Sequence, residues 1–160
     1  VNISPIQLLQ DNFIEELDEI VKNEKIDPTL LEIEITEGVF IHKMEETVEK
    51  LKAIRERGIR VSLDDFGTGY SSLATLNMQC FDTLKLDKSL IDHIGDKNGE
   101  TLLYYVISMG QKLGLHITAE GVENRIQLEF LKKNHCDDIQ GFLFAKPMPA
   151  VEFENILAHS

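Results

Sequence analysis

Val61-Ser62-Leu63-Asp64-Asp65-Phe66-Gly67-Thr68-Gly69-Tyr70-Ser71-Ser72-Leu73 is a short apolar run that ends in two adjacent carboxylates and a glycine-punctuated turn. Neighbouring side chains on a strand point to opposite faces, but where a strand breaks into a loop both can turn toward one point. Two carboxylates held there repel each other unless a cation lies between them. Gly67 and Gly69 permit positive φ and close backbone approach, which lets the next residues fold back over the site. The stretch therefore predicts a metal site at a strand end. The competing reading, an Asp-Gly turn in a β-hairpin, needs a second alternating strand, and none follows at hairpin distance.

On the N-terminal side, Leu31-Glu32-Ile33-Glu34-Ile35-Thr36-Glu37 alternates apolar and polar, the pattern of a half-buried strand, and it too ends in acids. Between it and the opening stretch, Met44, Val48, Leu51 and Ile54 return at helical spacing, with Gly58 as the closing glycine. At the start of the chain, residues 1–4 read as a short strand. Ser4-Pro5 then begins a helix whose inner face is Ile6, Leu9, Phe13, Leu17, Ile20 and Val21 and which ends at Asp27-Pro28. On the C-terminal side the expected order is a short helix over 72–77, a strand over 83–87, a weak helix over 88–93 and a polar turn over 95–99. A firm helix over 101–113, a strand over 115–119 running into Glu120-Gly121-Val122-Glu123, and a helix over 125–133 follow. A strand over 138–142 with Gln140 and Gly141, and a last helix over 150–157, complete the chain.

Strand onsets near 1, 31, 60, 83, 115 and 138 recur every roughly 23 to 32 residues, the size of a βαβ unit. Strands joined through helices lie parallel. Asn2, Glu34, Asp64 with Asp65, Lys85, Glu120 and Gln140 each sit on or just after a strand. A (β/α)8 barrel gathers such ends at one mouth, whereas an open sheet spreads them along an edge. The expected fold is therefore α/β: an incomplete TIM-type (β/α) barrel, six βα units of a modified (β/α)8 barrel, with residues 1–160 forming one partial domain. The two absent units are expected to precede the chain, since it opens directly on a strand.

The 160 residues, 42% apolar and 28% charged, suffice for one core. A net charge of −12 and a pI near 4.8 exclude non-specific binding to a nucleic acid polymer or to an anionic membrane surface. No apolar run is long enough to span a bilayer, and no signal-peptide pattern is present. Cys80 and Cys136 stand alone, without ligand spacing, and read as reduced buried thiols of a cytoplasmic domain, whose parent protein has room for a membrane tether elsewhere.

Asn2, Glu34, Asp64, Asp65 and Glu120 are all oxygen donors, a set that selects Mg²⁺ or Mn²⁺ over Zn²⁺. The carboxylates among them can hold two ions, and a pair about 4 Å apart suits in-line phosphoryl displacement. Lys85 supplies a fixed positive charge beside the acids, and Gln140 can both donate and accept, which suits a planar heterocycle or its ribose. Singly, each residue has a plain reading: Glu34 a solvated strand end, Lys85 an ion pair to Asp87, Gln140 a turn residue. Such residues at the same end of six successive strands favour a site.

The run Asp64-Asp65-Phe66-Gly67-Thr68-Gly69-Tyr70-Ser71-Ser72-Leu73 resembles the EAL domain of bacterial cyclic di-GMP phosphodiesterases. So do Val1-Asn2-Ile3-Ser4, Leu31 to Glu37, Leu84-Lys85-Leu86-Asp87, Ala119-Glu120-Gly121-Val122-Glu123 and Gln140-Gly141-Phe142. The resemblance covers essentially the whole chain. It implies a modified TIM barrel that opens cyclic di-GMP to linear pGpG with two Mg²⁺ or Mn²⁺ ions. By resemblance, Asn2, Glu34 and Asp64 hold one metal and Asp64, Asp65 and Glu120 the other. Lys85 holds the catalytic water, Glu120 is also the general base, and Gln140 contacts substrate. Glu37 anchors the loop 66–72, which the family links to metal binding and dimerisation, and a homodimer or oligomer is expected. The Glu-Ala-Leu signature, whose Glu is a metal ligand, and the arginine just after it do not occur in these residues. The fragment alone is accordingly expected to be inactive. The alternative class is a non-catalytic EAL-like module that binds cyclic di-GMP or a protein partner; degenerate members usually lose several of the acids, and none of those visible here is lost.

Overall fold

The computed structural model describes residues 1–40, 43–68 and 73–158. After the first residues come α1 (Pro5–Leu8), α2 (Phe13–Asn23), β1 (Glu32–Thr36) and α3 (Met44–Glu56). Then follow β2 (Arg60–Phe66), α4 (Leu73–Leu76), β3 (Thr83–Leu86), α5 (Lys88–Ile91) and α6 (Lys97–Lys112). The chain closes with β4 (His116–Ala119), α7 (Arg125–Lys133), β5 (Asp138–Ile139) and α8 (Ala150–Leu157). Among the described residues no helix is long and apolar enough to cross a membrane.

The five strands form one parallel sheet in chain order, β1-β2-β3-β4-β5, each hydrogen-bonded to the next. A doubly wound sheet reverses its strand order at a switch point. This one never reverses, so the fold is a stretch of TIM-type (β/α) barrel. The register sorts the side chains into two faces. Ile33, Ile35, Val61, Leu63, Leu84, Leu86, Ile117 and Ala119 lie on one face and are fully buried. Leu51 and Ile54 of α3, Leu103 and Ile107 of α6, and Leu131 of α7 share the same core cluster. Close approach at α6 depends on Gly110: a Cβ there would fall 2.5 Å from Ile117 Cδ1. On the other face the pairing aligns Glu34 with Ser62 and Ser62 with Thr83, and carries Asp64, Lys85 and Thr118 at the next level. That face is polar and points into the barrel.

The sixth strand is much shorter than the sequence predicts. Residues 1–4 contribute a single parallel bridge, Asn2 to Glu34, through Ile3 N to Glu34 O (3.0 Å) and Glu34 N to Val1 O (2.9 Å). Ser4 stops it by starting α1, where its side chain and that of Gln7 form a reciprocal capping box. The single N-terminal helix is also divided. α1 ends at Leu8 and α2 restarts at Phe13, so Leu8 and Phe13 are buried while Ile6 and Ile20 face out. At the other end β5 is two residues long. Gln140 adds one more bond to Ala119 O (2.8 Å) before the chain turns at Gly141. The turn expected over 95–99 is largely helix, because Asp96 caps α6 by accepting from Asn98 N and Gly99 N.

Candidate active site

Lys85 stands where the C-terminal ends of β1 to β4 converge. Its Nζ lies 2.9 Å from Glu34 Oε1, 3.0 Å from Asp64 Oδ1 and 2.8 Å from Glu120 Oε1, so one ammonium gathers a carboxylate from each of three other units. The lysine side chain is only 11% exposed. Burial alone would discharge it, but hydrogen bonds to Glu120, Glu34 and Asp64 outweigh that and raise its pKa above the usual lysine value. Burial likewise raises the Glu120 carboxyl; Lys85 opposes the shift, and repulsion from Asp64 and Glu34 adds to it.

The two adjacent aspartates sit in a β-bulge. Leu63 pairs with Leu84 and Phe66 with Leu86, so β2 places Asp64 and Asp65 where β3 places only Lys85. Bulges re-aim a side chain that strict alternation would send to the other face. Here Asp65 takes the left-handed conformation, with φ +56°, which Asp tolerates better than most residues. Its side chain is thereby kept out of the helix layer and is exposed. Partial desolvation of its carboxyl by the neighbouring residues, then repulsion from Asp64 and Asp87, raise its pKa against the pull of Lys85.

Asp64 is differently placed. It is buried, and its Oδ1 is shut off from solvent 3.0 Å from the Lys85 ammonium. A carboxylate oxygen held out of solvent among other carboxylates is chemically suited to a hard cation. Glu34, Asp64, Asp65 and Glu120, with Asn2 beside Glu34 in register, therefore fit Mg²⁺ or Mn²⁺. Among the described residues, however, no three acidic, His or Cys side chains already form a cation cage, because the ammonium occupies the convergence point.

Glu120 is held by the backbone on both sides. Its N–H donates to Leu86 O (3.0 Å), and two residues on Val122 N donates to Gln140 O (3.1 Å). Gly141 is needed beside this turn: a Cβ there would fall 2.1 Å from Val122 O. The Gln140 side chain is exposed and lines a hollow of about 350 Å³ with Phe142, Lys146, Met148 and Phe153, in which the Lys146 ammonium lies 5.6 Å from the Phe142 ring centre. Glu37 opens the 3-10 turn Glu37–Phe40 directly after β1. Much of the 66–72 loop assigned to it, including Tyr70 of the expected dimer surface, lies outside the described residues.

The plain reading of Lys85 as a partner of Asp87 does not hold. Asp87 caps α5 instead, accepting from Ser89 N at 2.8 Å. Sequence reasoning passed over Lys88, which reaches Glu123 (3.1 Å) and Asp92 (2.9 Å), and over Gln127. The Gln127 signal was present as Asn124-x-x-Gln127, a capping-box spacing ahead of a helix. Burial pushes the Cys80 thiol up to about 11 and the Cys136 thiol up to about 12, so both are poor nucleophiles at neutral pH.

Comparison with known proteins agrees with this fold. The EAL domain profile matches residues 1–147. Over 158 residues the chain is 38% identical to the cyclic di-GMP phosphodiesterase NbdA of Pseudomonas aeruginosa, covering 98% of this chain and 20% of that protein. The chain thus spans one fifth of that relative's length. The crystal structure of the EAL domain of Mycobacterium smegmatis DcpA matches with a TM-score of 0.92 at 35% identity, covering 99% of this chain and 71% of that one. Klebsiella pneumoniae BlrP1, solved as a manganese and cyclic di-GMP complex, matches with a TM-score of 0.83 at 29% identity over 92% of this chain and 38% of that one. A profile match over nearly the whole length, joined to the same barrel in solved relatives, shows that this chain belongs to the EAL domain family.

Proposed function

We propose that these residues form the larger part of a phosphodiesterase domain that hydrolyses cyclic di-GMP to linear pGpG with two Mg²⁺ or Mn²⁺ ions. The observation that supports it most is the buried ammonium of Lys85, surrounded by Glu34, Asp64 and Glu120 from neighbouring barrel units. In this reading Asn2, Glu34 and Asp64 would hold one cation, and Asp64, Asp65 and Glu120 would hold the other, with Asp64 common to both sets. Bound there, the ions would lower the pKa of a water and offset charge on the phosphodiester. Lys85 orients that water and keeps a positive charge beside the phosphorus as negative charge develops. Glu120 takes a proton from the attacking water. The bond from the water oxygen to phosphorus forms as the bond to the ribose oxygen breaks, and that oxygen leaves as a hydroxyl by taking a proton from Glu120 or from solvent. Gln140, at the rim, offers a donor and an acceptor to guanine or its ribose.

The test compares the 160 residues alone with the same residues fused behind the Glu-Ala-Leu-bearing first units of an EAL-family phosphodiesterase, each given cyclic di-GMP and Mn²⁺. The fusion is expected to release pGpG and the isolated residues almost none, since no Glu-Ala-Leu occurs in the sequence. Lys85→Ala and Glu120→Gln in the fusion are each expected to lower kcat by about 10²-fold or more. A fusion that binds cyclic di-GMP without releasing pGpG would overturn the enzymatic reading in favour of a binding module. Robust turnover by the isolated residues would show that the absent glutamate is dispensable.

A further inference from the structure

Gln127 is a polar side chain buried to 5% exposure, although it belongs to a helix on the outer layer. Its Oε1 accepts from the amides of Glu123 (2.8 Å) and Asn124 (3.2 Å), and its Nε2 donates to Ile91 O (3.5 Å). Its backbone N–H donates to Asn124 Oδ1 (3.0 Å), which completes the capping box of α7. A capping box needs only the reciprocal bonds between the cap and the third helical residue. Burial and the reach to α5 go beyond capping. They are sustained because a buried amide with unmade bonds is strongly unfavourable, so this position tolerates little but a side chain that makes them.

The two elements that Gln127 joins both begin at the acid cluster. α5 follows β3, which carries Lys85, and the turn 120–124 begins with Glu120. A second strut runs beside the first: Lys88 pairs with Glu123 at 3.1 Å, and its stem crosses Gly121, where a Cβ would fall 2.6 Å from Lys88 Cβ. Lys88 is 43% exposed, and such a pair contributes little. The buried amide therefore carries the link. The result is a closed ring: Lys85, along β3 into α5, across Gln127 to the turn, and from Glu120 back to Lys85 at 2.8 Å.

We infer that Gln127 is a positioning residue of the active site, which sets the place of Glu120 against Lys85 by locking the 120–124 turn onto α5. The kinetic part of this inference rests on the hydrolase reading above; the structural part does not. Gln127→Met keeps the length and removes every polar atom, while Gln127→Glu keeps the acceptor for the two amides and loses the donor to Ile91 O. In crystal structures of the 160-residue chain, Gln127→Met is expected to move Glu120 away from Lys85 by about 1 Å or more, with the Lys85–Glu34 contact kept. In the fusion enzyme its kcat is expected to fall about tenfold or more while KM changes less than about threefold, and Gln127→Glu is expected to recover part of kcat. An unchanged Lys85–Glu120 contact in folded Gln127→Met, or a loss of kcat that only tracks the unfolded fraction, overturns the inference. If the Met variant fails to fold, Gln127→Glu decides: a wild-type contact together with wild-type kcat overturns it. If the wild-type fusion releases no pGpG, the hydrolase reading fails and the Lys85–Glu120 distance in the variants alone decides the positioning role.

Discussion

Asp64 combines three properties that its neighbours hold separately: burial, a place opposite Lys85 in the bulge, and an oxygen shut off from solvent beside the ammonium. Asp64→Asn keeps size and shape and removes the charge that would be shared between two cations. It is expected to weaken Mn²⁺ binding by at least about tenfold, more than Glu34→Gln does. Calorimetric titrations giving equal affinities for Asp64→Asn and wild type would remove Asp64 from the bridging role. Gly141 makes the complementary case, in which backbone space rather than charge is the requirement. A methyl group at residue 141 would lie 2.1 Å from Val122 O and 2.3 Å from Val122 N, neither of which can move without shifting the turn that follows Glu120. Gly141→Ala is expected to lower stability by about 1–3 kcal/mol, seen as a drop of several degrees in melting temperature. A melting point equal to wild type would mean that the turn has slack the packing does not show. The importance of the Asp-Asp pair was legible from the sequence because two adjacent acids at a strand end are hard to explain otherwise. The bulge was not: a one-residue slip leaves the residue order unchanged and is set by pairing with a strand some twenty residues away.

At the scale of elements, legibility followed how local the determining interactions are. α7 occupies the predicted span because Asn124 and Gln127 fix its start through bonds within four residues. α3 stops just before Gly58, whose φ of +82° ends the helix as its position predicts. The N-terminal helix was misread because its period matches one continuous face, yet the chain must leave the Asn2 bridge and reach the outer layer within a few residues. That constraint comes from tertiary structure and overrides periodicity. α2 is then fixed to α3 by a two-pronged pair, Arg57 Nε to Asp18 Oδ1 (2.6 Å) and Nη2 to Oδ2 (2.8 Å). The hydrogen bonds from Arg57 hold the Asp18 carboxyl below the usual carboxylate range. A depressed folded-state pKa means that the pair's stabilisation is present above the unfolded value near 4 and fades as pH falls through the folded value. Asp18 is half exposed, so screening limits the effect to less than about 1 kcal/mol. Asp18→Asn is expected to destabilise slightly at pH 7 and to match wild type in acid below the folded pKa. A difference in denaturant midpoint that persists unchanged into acid would assign the effect to packing instead of charge.

At the scale of the whole molecule, the surface is larger than a self-contained fold of this mass needs. The chain exposes 10083 Å² at 18.2 kDa, whereas monomers of this mass typically expose about 8,100 Å², an excess of roughly 2,000 Å². Much of the exposed apolar surface lies at the two ends of the strand order. At one end α8 has no buried residue, and Val151, Phe153, Ile156 and Leu157 are exposed beside Phe142 and Phe144. At the other, a groove of about 300 Å³ is lined by Val1, Ile3, Phe13, Ile20 and Leu31. Among the described strands β5 pairs only with β4, and the Asn2 bridge joins only β1, so each end also presents unpaired backbone. A standard interface takes about 800 Å² from each partner. With about 65% of those roughly 1,600 Å² apolar, burial at about 25 cal/mol per Å² offers roughly 25 kcal/mol before the entropy of association and side-chain ordering are subtracted, enough for association in the micromolar range. The 160 residues are therefore expected to pair with a second copy, with the α8 face inside the contact. Light scattering at tens of micromolar should report a dimer or larger species, and Phe153→Glu with Ile156→Glu should shift it toward monomer without loss of helical circular dichroism. A stable, well-folded wild-type monomer at that concentration would rule out self-association and require that these apolar ends stay in water, against the energy that their burial would release.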